Sequence, residues 1–197
     1  HQHFMLVPSL TVAENVILGV EPTKGLTFDK AKAIEMTEEV CKKYGFDIDP
    51  TKEVRDITVG VKQKTEIVKA LVKGCEILIL DEPTAVLTPQ ETAELFVQLK
   101  NLRDSGCTII FISHKLNEVK ELCDRVTVIR KGRTIGVYNI EDVSEADISR
   151  AMIGADIELK ITKSKAQPKE NVLEVKDLGI YNFIGKKVVK DISFSCR

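Results

Sequence analysis

The stretch that decides the fold of this chain is Ile77-Leu78-Ile79-Leu80-Asp81-Glu82-Pro83-Thr84. Its four consecutive apolar residues have the length of a strand buried on both faces, which is typical of a parallel sheet. Two carboxylates follow at the carboxyl end of that strand, which is the edge where open α/β sheets bind ligands. There one carboxylate could hold Mg²⁺ through water while its neighbour polarises an attacking water. The alternative is a pair of solvated carboxylates where a strand enters a loop.

A second polar side chain follows the next apolar run, Ile109-Ile110-Phe111-Ile112-Ser113-His114. One helix and one strand separate His114 from Asp81, so the two residues could sit on neighbouring strand ends. From that edge the imidazole could reach a γ-phosphate by a hydrogen bond. Taken alone, a histidine after a strand is more often structural, but the spacing from Asp81 favours a shared site.

Outward from these two runs, apolar strands alternate with helices, which predicts a parallel α/β sheet. The predicted strands are 76–80, 107–112 and 125–130, with helices over 89–104 and 115–123. Ahead of them, helical spacing of apolar residues predicts helices over 11–20, 29–44 and 61–73. Behind them, we predict a hairpin over 126–139, a helix over 144–153, and strand-like segments in 172–180 and 188–197.

Composition excludes several classes of protein. The 197 residues are 43% hydrophobic and 30% charged, which is ordinary for a globular domain. A net charge of −1 supplies no basic field, so we expect no nucleic-acid partner. The longest apolar runs are far too short to span a membrane. Five scattered cysteines without a Cys-x-x-Cys pair indicate a reduced, cytosolic setting.

Several motifs resemble those of ABC ATPases. Asp81-Glu82 resembles their Walker B motif, His114 resembles their switch histidine, and Gln2 resembles their Q-loop glutamine. The resemblance implies that Glu82 and His114 are catalytic. It also implies that Asp81 and Gln2 contact Mg²⁺, in part through water, and that Gln2 faces a permease.

Ile57-Thr58-Val59-Gly60-Val61 lies where the family has its Leu-Ser-Gly-Gly-Gln signature. The resemblance implies that Thr58 and Gly60 bind ATP, since a signature directs a hydroxyl and backbone N–H groups at the γ-phosphate. The two valines depart from the pattern, and Val61 removes a polar side chain. The alternative is an ordinary helix start with Thr58 as its N-cap. Thr88 occupies a D-loop position where the family usually has Asp.

The resemblance also predicts the domain organisation and the fold class. Residues 1–154 resemble a first ABC ATPase domain with a helical subdomain at 11–73, residues 155–171 a linker, and residues 172–197 the start of a second ABC domain. The expected fold class is α/β: a partial P-loop NTPase with a parallel sheet core and two extra β-strands from the second domain. The sequence contains no Gly-x-x-x-x-Gly-Lys-Ser/Thr phosphate loop, which we interpret as truncation.

The likeness is strongest to the fused, two-domain ATPases of simple-sugar and nucleoside importers, through strings such as DEPTAVLTPQE and ISHKLNEV. It implies an ATP-hydrolysing subunit that uses ATP and Mg²⁺ on the cytoplasmic face of the cell membrane. Its expected partners are permease subunits, the second ABC domain of the same chain and, indirectly, a solute-binding protein. The fragment alone is expected to be inactive. The alternatives are a soluble ABC-type ATPase and a degenerate, non-hydrolysing ABC domain.

Overall fold

The computed structural model describes residues 4–25, 27–154 and 170–196. The chain divides into two compact units, His1–Ala155 and Asp156–Arg197. Gln2, the expected Q-loop glutamine, lies outside the described residues, as does most of the predicted linker. In the described ranges no helix is long and apolar enough to cross a membrane.

The first unit opens with a helical region. Its helices are α1 (Val12–Val16), α2 (Lys30–Tyr44) and α3 (Val59–Val72), with a small hairpin of β1 (Thr23–Lys24) and β2 (Thr27–Phe28) between α1 and α2. A 3₁₀ turn at Val54–Asp56 precedes α3. The predicted helix over 11–20 is too long, because α1 ends at Val16, with Ile17 as its C-cap. The apolar faces of the three helices form one core, which confirms the helical spacing seen in the sequence.

The α/β part follows directly. Strand β3 (Ile77–Asp81) pairs in parallel with β4 (Thr108–Ile112), and α4 (Pro89–Asp104) joins them. Their register places Asp81 opposite Ile112, so both strands end at the same edge. Helix α5 (Leu116–Leu122) begins two residues after His114. The predicted parallel pair is therefore confirmed.

The prediction that these strands are buried on both faces is wrong within the described residues. Leu78 and Leu80 of β3 are buried against the helical core, and the Phe111 ring of β4 meets Phe96 of α4 edge-on at 6.0 Å. The alternate side chains face outward and remain about half exposed. Because α3 and α4 supply apolar side chains to one face only, a continuous apolar run here does not mean burial on both sides. The outward residues are Ile77, Ile79, Ile110 and Ile112.

The last part of the first unit is a hairpin and a helix. Strand β5 (Arg125–Arg130) pairs antiparallel with β6 (Arg133–Asn139) through a turn in which Lys131 and Gly132 both have positive φ, as a type I′ turn requires. Among the described strands β5 has no other partner, and a cleft of about 1100 Å³ lies between β4, α5 and β5. Helix α6 (Glu145–Ile153) begins at the predicted Ser144 cap.

In the second unit, β7 (Leu173–Tyr181) and β8 (Lys187–Cys196) form an antiparallel hairpin. Both predicted strands are present. The register is irregular between Val175 and Tyr181, and Asp177 and Asp191 have positive φ in the two strands.

Candidate functional site

The carboxyl edge of the β3–β4 pair brings Glu82 and His114 together. The Glu82 N–H donates to the Ile112 carbonyl at 2.9 Å, which extends the ladder by one bond and places Glu82 beside the loop that carries the histidine. His114 Nδ1 lies 2.7 Å from Glu82 Oε1, within hydrogen-bond distance. The Glu82 side chain is 29% exposed and that of His114 71%, so the imidazole lies between the carboxylate and solvent.

The backbone of Glu82 is unusual. Its φ is 48°, in the left-handed region that a residue with a Cβ rarely adopts. The Ala85 N–H donates to the Glu82 carbonyl at 3.1 Å, so the strand ends in a tight turn at this residue. Backbone strain of this kind concentrates at functional sites, where surrounding contacts hold a side chain in one direction.

The second oxygen of the Glu82 carboxylate, Oε2, is buried and has no hydrogen-bond partner among the described residues. A buried acceptor without a donor costs free energy, so a protein keeps one where chemistry needs it. One oxygen of Glu82 therefore contacts the histidine, and the other is available as an acceptor.

Asp81 is the last residue of β3 and is partly buried. Successive residues of an extended chain point in different directions, so Asp81 and Glu82 can serve different atoms of one ligand. Among the described residues no three His, Cys, Asp or Glu side chains cluster as a metal site. One or two carboxylates are nevertheless sufficient for Mg²⁺ when phosphate oxygens and water complete its coordination. The residues at this edge therefore fit Mg²⁺ bound together with a nucleotide.

Thr58 and Gly60 lie at the start of α3, on a different element. Thr58 is the N-cap, and its Oγ1 accepts from the Val61 N–H at 3.4 Å. Thr58 therefore caps α3, which agrees with either interpretation of this segment. Among the described residues no hydrogen bond joins Thr58 or Gly60 to Glu82 or His114.

Gly60 is buried against the side chain of Glu91, and a Cβ on Gly60 would overlap it. Glu91 Oε2 accepts from the Thr88 N–H at 2.9 Å and from the Thr88 hydroxyl at 3.0 Å. The segment in the signature position thus packs directly on the first turn of α4, next to the residue in the D-loop position.

Sequence reasoning missed a second group of residues near the edge. Thr84 is fully buried, and its hydroxyl donates to Glu118 Oε2 at 2.6 Å. Lys115 Nζ lies 3.0 Å from Glu118 Oε1 and donates to the Thr84 carbonyl at 3.3 Å. A glutamate on a helix is expected at the surface, and no signal in the sequence indicated that Glu118 on α5 is buried.

Comparison with known proteins assigns the family that the chain resembles. The family model described as ABC transporter matches residues 1–85. The nucleoside import ATP-binding protein NupA of Lactococcus lactis subsp. cremoris (strain MG1363) is 45% identical over 197 residues, which are 100% of this chain and 39% of NupA. All 197 residues of this chain are therefore similar to part of an ABC transporter ATP-binding protein.

A second relative and a solved structure agree with that assignment. The xylose import ATP-binding protein XylG of Thermoanaerobacter pseudethanolicus (strain ATCC 33223 / 39E) is 40% identical over 199 residues, covering 100% of this chain and 39% of XylG. The structure of cbiO1 from Clostridium perfringens, part of the ABC transporter complex cbiONQ, matches 76% of this chain and 57% of cbiO1 with a TM-score of 0.59 and 25% identity. The fold is that of an ABC ATPase cassette. The chain spans 39% of the length of the relatives NupA and XylG.

Proposed function

We propose that the protein containing this chain is the ATP-hydrolysing subunit of an ABC importer for a nucleoside or a simple sugar. The observation that carries the proposal is the Glu82 carboxylate, which lies at the edge of a parallel strand pair and contacts His114 at 2.7 Å. A carboxylate held in one direction by a strained backbone suits a general base that must meet an attacking water. The names of the relatives, which import nucleosides and xylose, support the class of solute.

The roles divide among the residues of the edge. Glu82 accepts the proton of the attacking water, and Asp81 holds Mg²⁺, with Gln2 as a further contact through water. Mg²⁺, when bound, neutralises charge on the phosphates. His114 orients the Glu82 carboxylate through Nδ1, and its exposed ring is positioned to reach a γ-phosphate through Nε2. Both ring nitrogens donate only in the imidazolium form, so serving both partners at once requires a protonated His114.

The remaining assignments concern the larger assembly. We infer a first ABC domain at 1–154, a linker at 155–171 and the start of a second ABC domain from 172, so that Thr58 and Gly60 serve an ATP site shared with the other domain. The lengths of the relatives support this, because each is more than twice as long as this chain. The helical region at 11–73 contacts permease subunits, which in turn receive solute from a solute-binding protein, at the cytoplasmic face of the cell membrane. The near-neutral charge supports the absence of a nucleic-acid partner.

The test is the steady-state ATPase activity of the full-length polypeptide that contains this chain, reconstituted with its permease. Glu82→Gln keeps the size of the side chain and removes the base. It should preserve ATP binding and lower turnover by about 10²- to 10⁴-fold, the range for one proton-transfer group. Glu121→Gln is the matched control, because it makes the same chemical change at an exposed position of α5, outside the proposed catalytic edge. Normal turnover in Glu82→Gln would contradict the proposal.

A wild type that binds ATP without hydrolysing it would instead favour the alternative of a degenerate, non-hydrolysing ABC domain. Val59 and Val61 in the signature position give that alternative some support.

A further inference from the structure

Three side chains join the turn after Glu82 to the segment after His114. They are Thr84, Lys115 and Glu118, here named the Thr84 cluster. The Thr84 hydroxyl donates to Glu118 Oε2 at 2.6 Å, and Lys115 Nζ lies 3.3 Å from both the carbonyl and the hydroxyl of Thr84. Lys115 also forms an ion pair with Glu118 Oε1 at 3.0 Å. Every contact in the cluster crosses between these two segments or holds one of them in place.

Burial makes this cluster costly unless all its bonds form. Thr84 is 0% exposed and Glu118 5% exposed. A buried carboxylate without partners is strongly unfavourable, and a buried ion pair is often no more stabilising than apolar side chains of similar volume. Stability alone is therefore a weak reason for these residues. Positional specificity is the better reason, since the bonds form in only one arrangement of the two segments.

That arrangement also determines the geometry of the proposed catalytic pair. Glu82 precedes Thr84 by two residues, and His114 immediately precedes Lys115. The same two segments are joined on the strand side by the Glu82 N–H to Ile112 carbonyl bond at 2.9 Å. Within the His114 segment itself, the Ser113 hydroxyl accepts from the Lys115 N–H at 3.1 Å. The 2.7 Å contact between Glu82 and His114 thus lies between two sets of bonds, one from the ladder and one from the Thr84 cluster.

We propose that Thr84 and Glu118 are positioning residues for ATP hydrolysis. They touch neither nucleotide nor metal in this scheme. They hold the His114 segment against the Glu82 turn, so that the Glu82 carboxylate keeps the orientation that the attacking water requires. The proposal rests on the proposed ATPase function. Its consequence is that breaking the cluster lowers kcat and leaves the KM for ATP unchanged.

The first test compares two variants of Thr84 in the full-length protein reconstituted with its permease. Thr84→Val has nearly the same shape but lacks the hydroxyl, so Glu118 Oε2 loses its shortest hydrogen bond. We expect kcat to fall by about 10- to 100-fold, the range for a misplacement of about 1 Å. Thr84→Ser keeps the hydroxyl and should restore most of the lost kcat. Equal kcat in Thr84→Val and wild type, or a loss that appears in KM alone, would overturn the proposal.

The second test separates positioning from general structural damage. In a Glu82→Gln background the proposed base is absent, so misplacing it further should cost little. Single-turnover hydrolysis should therefore show a strong coupling: Thr84→Val slows the wild type but barely changes Glu82→Gln. A loss of the same factor in both backgrounds would mean that Thr84 acts through stability, and would overturn the proposal.

A replacement variant and two activity results ensure that the experiment either supports or overturns the proposal. If Thr84→Val does not fold, Glu118→Met takes its place, because methionine has a similar length and removes the acceptor of the Thr84 hydroxyl. Its kcat should fall at constant KM, and an unchanged kcat would overturn the proposal. A wild type without ATPase activity overturns the proposed function itself. An active wild type with a Glu82→Gln defect but no effect at Thr84 or Glu118 overturns only this inference.

Discussion

Gly60 is the residue at which α3 packs against the first turn of α4. Its φ is not in the left-handed region, so the backbone does not require glycine there. The constraint is the Glu91 side chain, whose carboxylate occupies the space of a Cβ and is held there by the N–H and hydroxyl of Thr88. The glycine thus serves the contact between α3 and α4.

This contact predicts that the effect of Gly60→Ala on the free energy of unfolding depends on whether the Glu91 side chain is present. In the wild type, Gly60→Ala displaces Glu91 from Thr88, and the loss of that cap should reduce the free energy of unfolding by about 1 kcal/mol. In a Glu91→Ala background the space is free. There the same Gly60→Ala should be neutral or stabilising by up to about 1 kcal/mol, because alanine is the better helix former. Urea unfolding of the four proteins measures both values. Equal destabilisation in the two backgrounds would contradict this account.

At the scale of elements, α1 shows how a short helix is maintained. Five residues are too few for a stable isolated helix. The Thr11 hydroxyl caps the Glu14 N–H at 3.2 Å, and Glu14 Oε2 accepts from the Thr11 N–H at 2.7 Å. The Val12 N–H donates to the Lys52 carbonyl and the Ala13 N–H to the Pro50 carbonyl, each at 2.9 Å. The first turn of α1 therefore depends on its capping box and on a neighbouring loop.

The capping box predicts a pH-dependent stability. The hydrogen bond from the Thr11 N–H lowers the pKa of Glu14 below its ordinary value of 4.5, although partial burial opposes the shift. A carboxyl whose pKa is lowered in the folded state contributes stability above its unfolded pKa and loses that contribution as the pH falls through the folded pKa.

The variant Glu14→Gln tests this prediction, because it keeps an amide oxygen for the Thr11 N–H but removes the charge. The difference in free energy of unfolding between wild type and Glu14→Gln should therefore be present at pH 7 and narrow below pH 4.5. Unfolding curves across that range measure it, and a difference that is constant with pH would refute the prediction.

For the whole molecule, the outward face of the β3–β4 pair is the dominant surface feature. Ile77 and Ile79 are 59% and 60% exposed, and Ile110 and Ile112 are 46% and 47% exposed. Adjacent exposed isoleucines on two paired strands form a contiguous apolar patch, and such patches promote association. In the 197-residue chain taken by itself, this face is available to other apolar surfaces.

We therefore expect the purified chain to bind an apolar dye such as anilinonaphthalene sulfonate and to elute from gel filtration as more than a monomer. Replacing Ile79 and Ile110 together by threonine keeps β-branched side chains in the strands and should reduce both signals. Val97→Thr is the matched control, because Val97 is 59% exposed on α4, outside the patch. If dye binding and elution volume are the same in the double variant as in the wild type, this face is not the source of association.

Sequence alone was sufficient for the main helices and strands and for the location of the proposed site, but it missed the β1–β2 hairpin. Apolar periodicity, capping residues and turn glycines act within a few residues, so α2, α4 and α6 begin within one residue of the predicted starts at 29, 89 and 144. Apolar runs that end in polar side chains placed Glu82 and His114 on neighbouring strand ends, because parallel strands end at one edge.

Tertiary structure decided everything that depends on which side chains meet. The 2.7 Å contact of Glu82 with His114 joins residues 32 positions apart, and the bond from Thr84 to Glu118 joins residues 34 apart. No local pattern specifies such contacts, because they follow from strand register and from the turn that Glu82 makes in a left-handed conformation. The exposed isoleucine face has the same origin. An apolar run indicates that a strand can be buried. Whether each face of the strand is buried depends on which elements pack against that face.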